Sequence, residues 1–518
     1  MTANRAAFDR ATLAFLFVLI AVTAARIVAL FHVPLGLYFD EAQYWMWSRT
    51  FEWGYFTKPP LIAWVIGATT FLAGTDAEWA VRLGAPIAHM IAAAAIFALG
   101  RSMYGAWPGF WAGFGWLMLP GVWFSSSLIS TDALLLPLWS IALFAMWKLV
   151  TTRAWVWAAA LGLAIGVGAQ AKYAMFYFFL CTALAGWWLE PVRQALAKGR
   201  GLLATLIALI VIAPNLIWNV QNGFVTARHT ASNAHFDAAR LFNLDELFEF
   251  IFGQAGVIGP VVFVVLIWAL WRAWRRSDGL STEEKFLIAY ILPPFVIISA
   301  IAFISRANAN WAAVAYPAVL LLVTGALFSS RAGRRTLAAA TLANIALGAA
   351  FIAVIVWCPA LANQAKGVRT ARGWEETANE IARRAAVQPG DLPFSAVMVD
   401  DRMTYFELNY YWREARRAGA PLPPVRMWLL HGRANNSAEA NDPMRPEEGG
   451  RVLIVHVTPA YLPLVATDFT TFRQVEHLTV PLGGGVNREM EISVGEGFAP
   501  QPRDAAFEER FRQQMGAD

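Results

Sequence analysis

The chain has 518 residues and a mass of 57.1 kDa; 58% of its residues are hydrophobic, 15% are charged, and the mean hydropathy is +0.47. Soluble globular proteins average about 45–50% apolar and about 25% charged residues, so an ordinary soluble protein is excluded and a polytopic membrane protein is indicated. The formal charge of +5 is read as positive cytoplasmic loops, and no nucleic-acid motif accompanies it.

Arg5 and Arg10 precede an apolar run from Ala11 to Val33, which exceeds a signal-peptide core and reads as a retained anchor. A spanning helix needs about 20 apolar residues. By that measure, spans are expected near 11–33, 79–100, 107–127, 133–150, 155–170, 173–190, 202–221, 250–271, 285–304, 311–329 and 336–357, eleven in all. The run Leu61 to Ala73 is too short to cross and is expected to lie in the interface or re-enter. With Arg5 and Arg10 cytoplasmic, this parity places Arg101, Arg153, the Arg193/Lys198/Arg200 cluster, Arg272/Arg275/Arg276 and Arg331/Arg334/Arg335 on the cytoplasmic side. The Asp40 loop, Asp132, the 222–249 loop, Ser305 to Asn310 and everything after Cys358 then fall on the outer face.

Beyond Cys358 the pattern changes, dividing the chain into a membrane domain over 1–358 and a soluble α/β domain over 359–518. Residues 372–386 and 405–417 read as amphipathic helices, and 394–399, 425–430 and 451–457 as strands. Gly483-Gly484-Gly485 reads as a strand turn, and the charged last ~18 residues are expected to fray. Cys181 and Cys358 lie far apart in or beside apolar segments, so neither a disulfide framework nor a zinc site is indicated.

The charges at membrane depth need a reason. Tyr38-Phe39-Asp40-Glu41-Ala42-Gln43-Tyr44-Trp45 carries an acidic pair, and Trp53-Gly54-Tyr55-Phe56-Thr57-Lys58-Pro59-Pro60 carries a lysine among aromatics and prolines. Asp40 would serve either as a helix N-cap or as a general base that orients an acceptor hydroxyl. Asp132, in Ser130-Thr131-Asp132-Ala133, has the same two readings. Lys58 either snorkels or presents a point charge to phosphate, as would Arg306 in the outer 305–310 stretch. Arg82 and Lys172 are functional candidates by their depth, or simply pair with Glu78 or with carbonyls. The loop with Arg228, His229 and Asn233 supplies further polar groups. No Gly-rich nucleotide loop, Ser/His/Asp arrangement or metal-ligand cluster is evident. Asp40-Glu41 alone is a thin donor set for a divalent cation.

The order of Asp40-Glu41-Ala42 with Tyr44-Trp45, Trp53-Gly54-Tyr55-Phe56 with Lys58-Pro59-Pro60-Leu61, Arg82-Leu83, Thr131-Asp132, and Asn310-Trp311 with Ala315-Tyr316-Pro317 resembles the bacterial GT-C glycosyltransferases. Within them it is similar to the protein-mannosyltransferase and aminoarabinose-transferase-like group, families 39 and 83, over about residues 10–360. The resemblance implies a GT-C membrane fold with about eleven or more transmembrane helices and an extracytoplasmic α/β domain. It further implies a multi-pass enzyme of the bacterial inner membrane that takes a sugar from a polyprenyl monophosphate carrier. The acceptor would be lipopolysaccharide, lipid A or another envelope glycan, lipid or protein on the periplasmic face. Asp40 and its neighbour Glu41 match the first catalytic acids, and Asp132 the second. Lys58 with Tyr55 matches the carrier-phosphate contacts, and Arg306 is a looser match for the same role. Arg82, Lys172, His229 and Asn310 are expected near the substrates. A divalent cation is conceivable, as in distant GT-C enzymes. A flippase of lipid-linked saccharides is the alternative, disfavoured by the absence of inverted hydropathy repeats.

Overall fold

The computed structural model describes residues 9–226, 242–276, 279–386 and 392–515. Packing divides the chain into two compact units, one of residues 1–33 and 51–352 and a second of 34–50 and 353–518.

The first unit is helical. Seven of its helices, among the described residues, are long and apolar enough to cross a membrane: Arg10–Leu30, Glu78–Tyr104, Thr131–Thr152, Arg200–Gln221, Thr282–Ile304, Ala309–Phe328 and Arg331–Trp357. Each coincides with an expected span. The expected span near 250–271 is instead two helices, Leu244–Ile258 and Pro260–Arg275, that meet at 116°. Gly259 between them takes φ +89°, which only glycine adopts readily, and Pro260 begins a new helix because its missing N–H costs nothing at a first turn. Counting that pair once makes eight.

The remaining three expected spans fall short for local reasons. The helix Ala106–Met118 stops at Leu119, which is extended, before Pro120 opens the short Pro120–Ser125 helix. Trp155–Ala171 ends at Lys172, whose backbone is extended, and a 3-10 turn leads into Tyr177–Trp188. Leu61–Ala73 forms a helix of 13 residues closed by Gly74 at φ +65°.

The second unit carries a five-stranded sheet in the order β2-β1-β3-β5-β4, with β1 Ala396–Val399, β2 Val425–Met427, β3 Arg451–His456, β4 Phe469–Gly483 and β5 Val486–Phe498. β1 runs parallel to β2 and β3, and the β4–β5 hairpin joins antiparallel through β5 on β3. Gly484 and Gly485 make the hairpin turn between the paired Gly483 and Val486, and all three glycines take positive φ. On one face Met398, Ile454, Trp428, Phe469, Phe498 and Phe507 form a core. The tail does not fray where fraying was expected: Ala505–Met515 is helical, and Phe507 is fully buried in that core. Asp468, itself buried, accepts from Trp428 Nε1 at 2.7 Å and pairs with Arg503 at 2.5 Å, which satisfies its charge.

Residues 34–50 complete this unit. The helix Phe39–Trp47 buries Tyr44, Trp45 and Trp47. Trp45 meets Tyr410 edge-on at 5.0 Å. Gln43 Nε2 and Trp47 Nε1 donate to Ser437 Oγ at 3.2 and 3.3 Å, and Leu37 N–H donates to the Tyr411 hydroxyl at 3.3 Å. The partners lie on the Arg402–Tyr411 helix and at Ser437, which opens the Ser437–Asn441 turn.

Candidate active-site residues

Asp40 lies in the first turn of the Phe39–Trp47 helix, half-buried. It is not the cap. Tyr38 holds the N-cap position, and the buried Glu41 three residues on accepts the Tyr38 N–H at 2.9 Å, the return half of a capping box. Glu41 therefore has a structural task. Asp40 acts electrostatically on the neighbouring Tyr38 phenol, which burial pushes up first and the Asp40 charge pushes up further, while Arg402 pulls it down.

In the membrane unit, Asp132 sits in the first turn of the Thr131–Thr152 helix. Here too a neighbour does the capping: Ser130 Oγ accepts the Ala133 N–H at 3.1 Å. The Asp132 carboxylate takes other donors. Lys172 Nζ stands 2.7 Å from Oδ1, with the two side chains 25% and 18% exposed, and Asn310 Nδ2 donates to Oδ2 at 3.0 Å. The break in the chain at Lys172 places its ammonium there. Asn310 belongs to a 3-10 segment, Ala309–Ala315, whose first carbonyl is gripped twice, by Gln254 Nε2 at 3.1 Å and by the Tyr316 hydroxyl at 3.1 Å. Gln254 and Tyr316 are themselves joined at 2.7 Å. Three residues singled out in the sequence, Asp132, Lys172 and Asn310, thus meet in one cluster.

The segment with Lys58 is held from the Arg200–Gln221 helix. Asn215, fully buried, donates from Nδ2 to the Trp53 carbonyl at 2.7 Å and accepts from the Tyr173 hydroxyl at 2.8 Å; Asn219 donates to the same hydroxyl at 3.1 Å. Trp218 Nε1 donates to Glu52 at 3.3 Å, and a Cβ on Gly54 would stand 2.8 Å from Cδ2 of Trp218, so a larger residue there would have to displace the indole. The buried Tyr55 closes a turn by donating its N–H to the Lys58 carbonyl at 3.1 Å, and its own carbonyl accepts from Thr226 at 2.8 Å. Lys58 itself is half-buried.

The other sequence candidates scatter. Arg82 is buried at the end of the Glu78–Arg82 helix. Arg306 is exposed and makes no ion pair with a described residue. His229, with Arg228 and Asn233, lies outside the described residues. Among the described residues no group of three or more His, Cys, Asp or Glu side chains is placed to hold a metal ion. Sequence reasoning missed Asn215, Asn219 and Gln254. The signal for the first two was present, as two amides four residues apart on one face of an otherwise apolar span.

Comparison with known proteins gives three findings. Residues 57–218, which include Lys58, Arg82, Asp132, Lys172 and Asn215, match the model of the dolichyl-phosphate-mannose-protein mannosyltransferase family. The lipid A galacturonosyltransferase RgtD of Rhizobium johnstonii is 35% identical over 314 residues, covering 60% of this chain and 65%, or just under two thirds, of that relative. ArnT from Cupriavidus metallidurans superposes with a TM-score of 0.60 at 16% identity, over 94% of this chain and 99% of that one. Its structure bound to undecaprenyl phosphate gives the same TM-score and identity over 95% and 99%.

Proposed function

We propose that this chain is a multi-pass membrane glycosyltransferase of the ArnT type, a reading supported by its ArnT-like fold, its 35% identity to RgtD and the family-model match. It moves a sugar from a polyprenyl monophosphate carrier to lipid A or a similar envelope acceptor. The observation that carries this reading is the Asp132–Lys172–Asn310 cluster, built from the segment that matches the family model and from the 3-10 turn at Asn310. The relative that acts on lipid A and the like-folded protein that binds undecaprenyl phosphate support the two substrates.

The reaction is a single displacement with inversion. The acceptor oxygen attacks the anomeric carbon, the bond from that carbon to the carrier phosphate oxygen breaks, and the acceptor proton passes to a carboxylate. Asp40 takes that proton or orients the hydroxyl. Lys58, oriented by the Tyr55 turn, and Arg306 stabilise the charge that builds on the departing phosphate. Asp132, held by Lys172 and Asn310, fixes the donor side; Arg82 and His229 are secondary contacts. On this reading the bent pair and the three expected spans that fall short bring the crossings of the inner membrane to eleven, and the positive-inside bias supports a periplasmic location for Asp40 and the 359–518 domain.

The test is release of free polyprenyl phosphate, read by mass spectrometry, from the full-length protein in lipid nanodiscs with polyprenyl-phosphate sugars and envelope extract. Release by the wild type and none by Asp40→Asn, which still binds carrier, is expected. Carrier moved across the bilayer without release would replace this reading with a flippase.

A further inference from the structure

Arg402 has an unusual position in the second unit. It is the first residue of the Arg402–Tyr411 helix, half-buried, and its guanidinium carbon lies 5.0 Å from the ring centroid of Phe39, the residue before Asp40. Stacking of this kind engages the flat face of the guanidinium and leaves the N–H fork at its edge to bind something else. Other arginines of this unit spend their forks on protein: Arg488 on the Arg372 and Gly373 carbonyls and Thr377, Arg416 on Asn409 and the Pro423 carbonyl, Arg503 on Asp468. The Arg402 guanidinium makes no hydrogen bond or ion pair with any described residue.

Acidic groups are close by without closing on it. Glu439, whose charge Arg402 favours, is occupied by the Asn435 N–H and Asn436 Nδ2, each at 2.7 Å. Glu41 is turned back on Tyr38. Asp40 and Arg402 both act on the Tyr38 phenol, with opposite signs. Tyr38-Phe39 thus carries the stacked guanidinium on one ring and feels both the Asp40 and the Arg402 charge on the other.

We propose that Arg402 binds an anionic group of the acceptor, a phosphate or carboxylate next to the hydroxyl that Asp40 addresses. Arg402 thereby selects acidic acceptors. The fork geometry suits the two oxygens such a group presents. This rests on the transferase reading for the identity of the ligand, and on the geometry alone for its charge.

The test uses the full-length protein in nanodiscs of neutral lipid and two probes, lipid A carrying its phosphates and the same lipid A after enzymatic dephosphorylation. Affinities are measured without donor, and KM and kcat with polyprenyl-phosphate sugar. Wild type is expected to prefer the phosphorylated probe by about 10- to 100-fold, the range of one charge-assisted contact. Arg402→Ala should erase that preference with the KM for donor unchanged; Arg402→Lys should restore part of it; and Phe39→Leu, which removes the stack and keeps the charge, should fall between. Equal weakening toward both probes, or a change confined to the donor KM, overturns the proposal, the latter by assigning Arg402 to the carrier phosphate. A wild type that discriminates between the probes through Arg402 and yet releases no polyprenyl phosphate sinks the transferase reading and leaves the anion site standing.

Discussion

Replacing Asn215 by Ala removes the only side chain that ties the Trp53 carbonyl to the Arg200–Gln221 helix among the described residues. Two partners lose a bond. Leaving a buried polar group unsatisfied costs about 1–3 kcal/mol each, but the Trp53 side is exposed enough to rehydrate and Tyr173 keeps Asn219. The expected total is therefore about 2–3 kcal/mol. For a unit of this size each kcal/mol lowers Tm by about 1.4 °C, giving a fall of about 3–4 °C. Thermal unfolding in nanodiscs at one scan rate reads it. Lys58 follows Trp53 by five residues, so, if the proposed role of Lys58 holds, the looser segment should also raise the KM for a polyprenyl-phosphate donor several-fold. Asn219→Ala leaves the Trp53 bond intact and should spare that KM. A fall in Tm below about 1 °C with an unchanged carrier KM for Asn215→Ala would refute the argument that this amide positions the segment.

Two further substitutions probe the charges. Lys172→Met should destabilise by about 1–3 kcal/mol, because it strands a half-buried carboxylate, and the loss should shrink in an Asp132→Asn background; equal losses in both backgrounds would show that the pair is not the cause. Asp401 caps the Arg402–Tyr411 helix through the Met403 and Thr404 N–H groups, and burial first, then the Asp400 charge, push its carboxyl up to about 6 from the ordinary 3.8. Because the folded value is raised, stability is fullest below about pH 4 and is lost as pH rises through about 6, by at most about 3 kcal/mol. Asp401→Asn keeps the cap and cannot ionise, so it should melt above wild type at pH 7–8 and match it near pH 4; parallel pH profiles would remove this account.

The parts legible in the sequence were those set by local pattern. Ser130-Thr131-Asp132 opens a helix where an apolar run begins, Lys172 falls at a gap between two such runs, and strands at Ala396–Val399 and Arg451–His456 show as short β-branched stretches. What stayed hidden was pairing over distance. Glu41 and Asp40 look alike in sequence, yet only one reaches back to cap. The long β4–β5 hairpin carries alternating polar residues with little apolar signal, so only its glycine turn was visible. Arg402 carries no local signal in the sequence, because a stacked arginine differs from a solvated one only through an aromatic ring more than 360 residues away.

The second unit is assembled from one short stretch near the start of the chain and everything after residue 352. During synthesis, Asp40 and its helix therefore leave the ribosome long before the surface they pack on exists. Trp45, Trp47 and Gln43 must wait, with their apolar and amide groups uncovered, until Tyr410 and Ser437 have been made. Contacts of such separation form late. A nascent chain stopped anywhere before the last domain would then carry Asp40 on an unsupported segment.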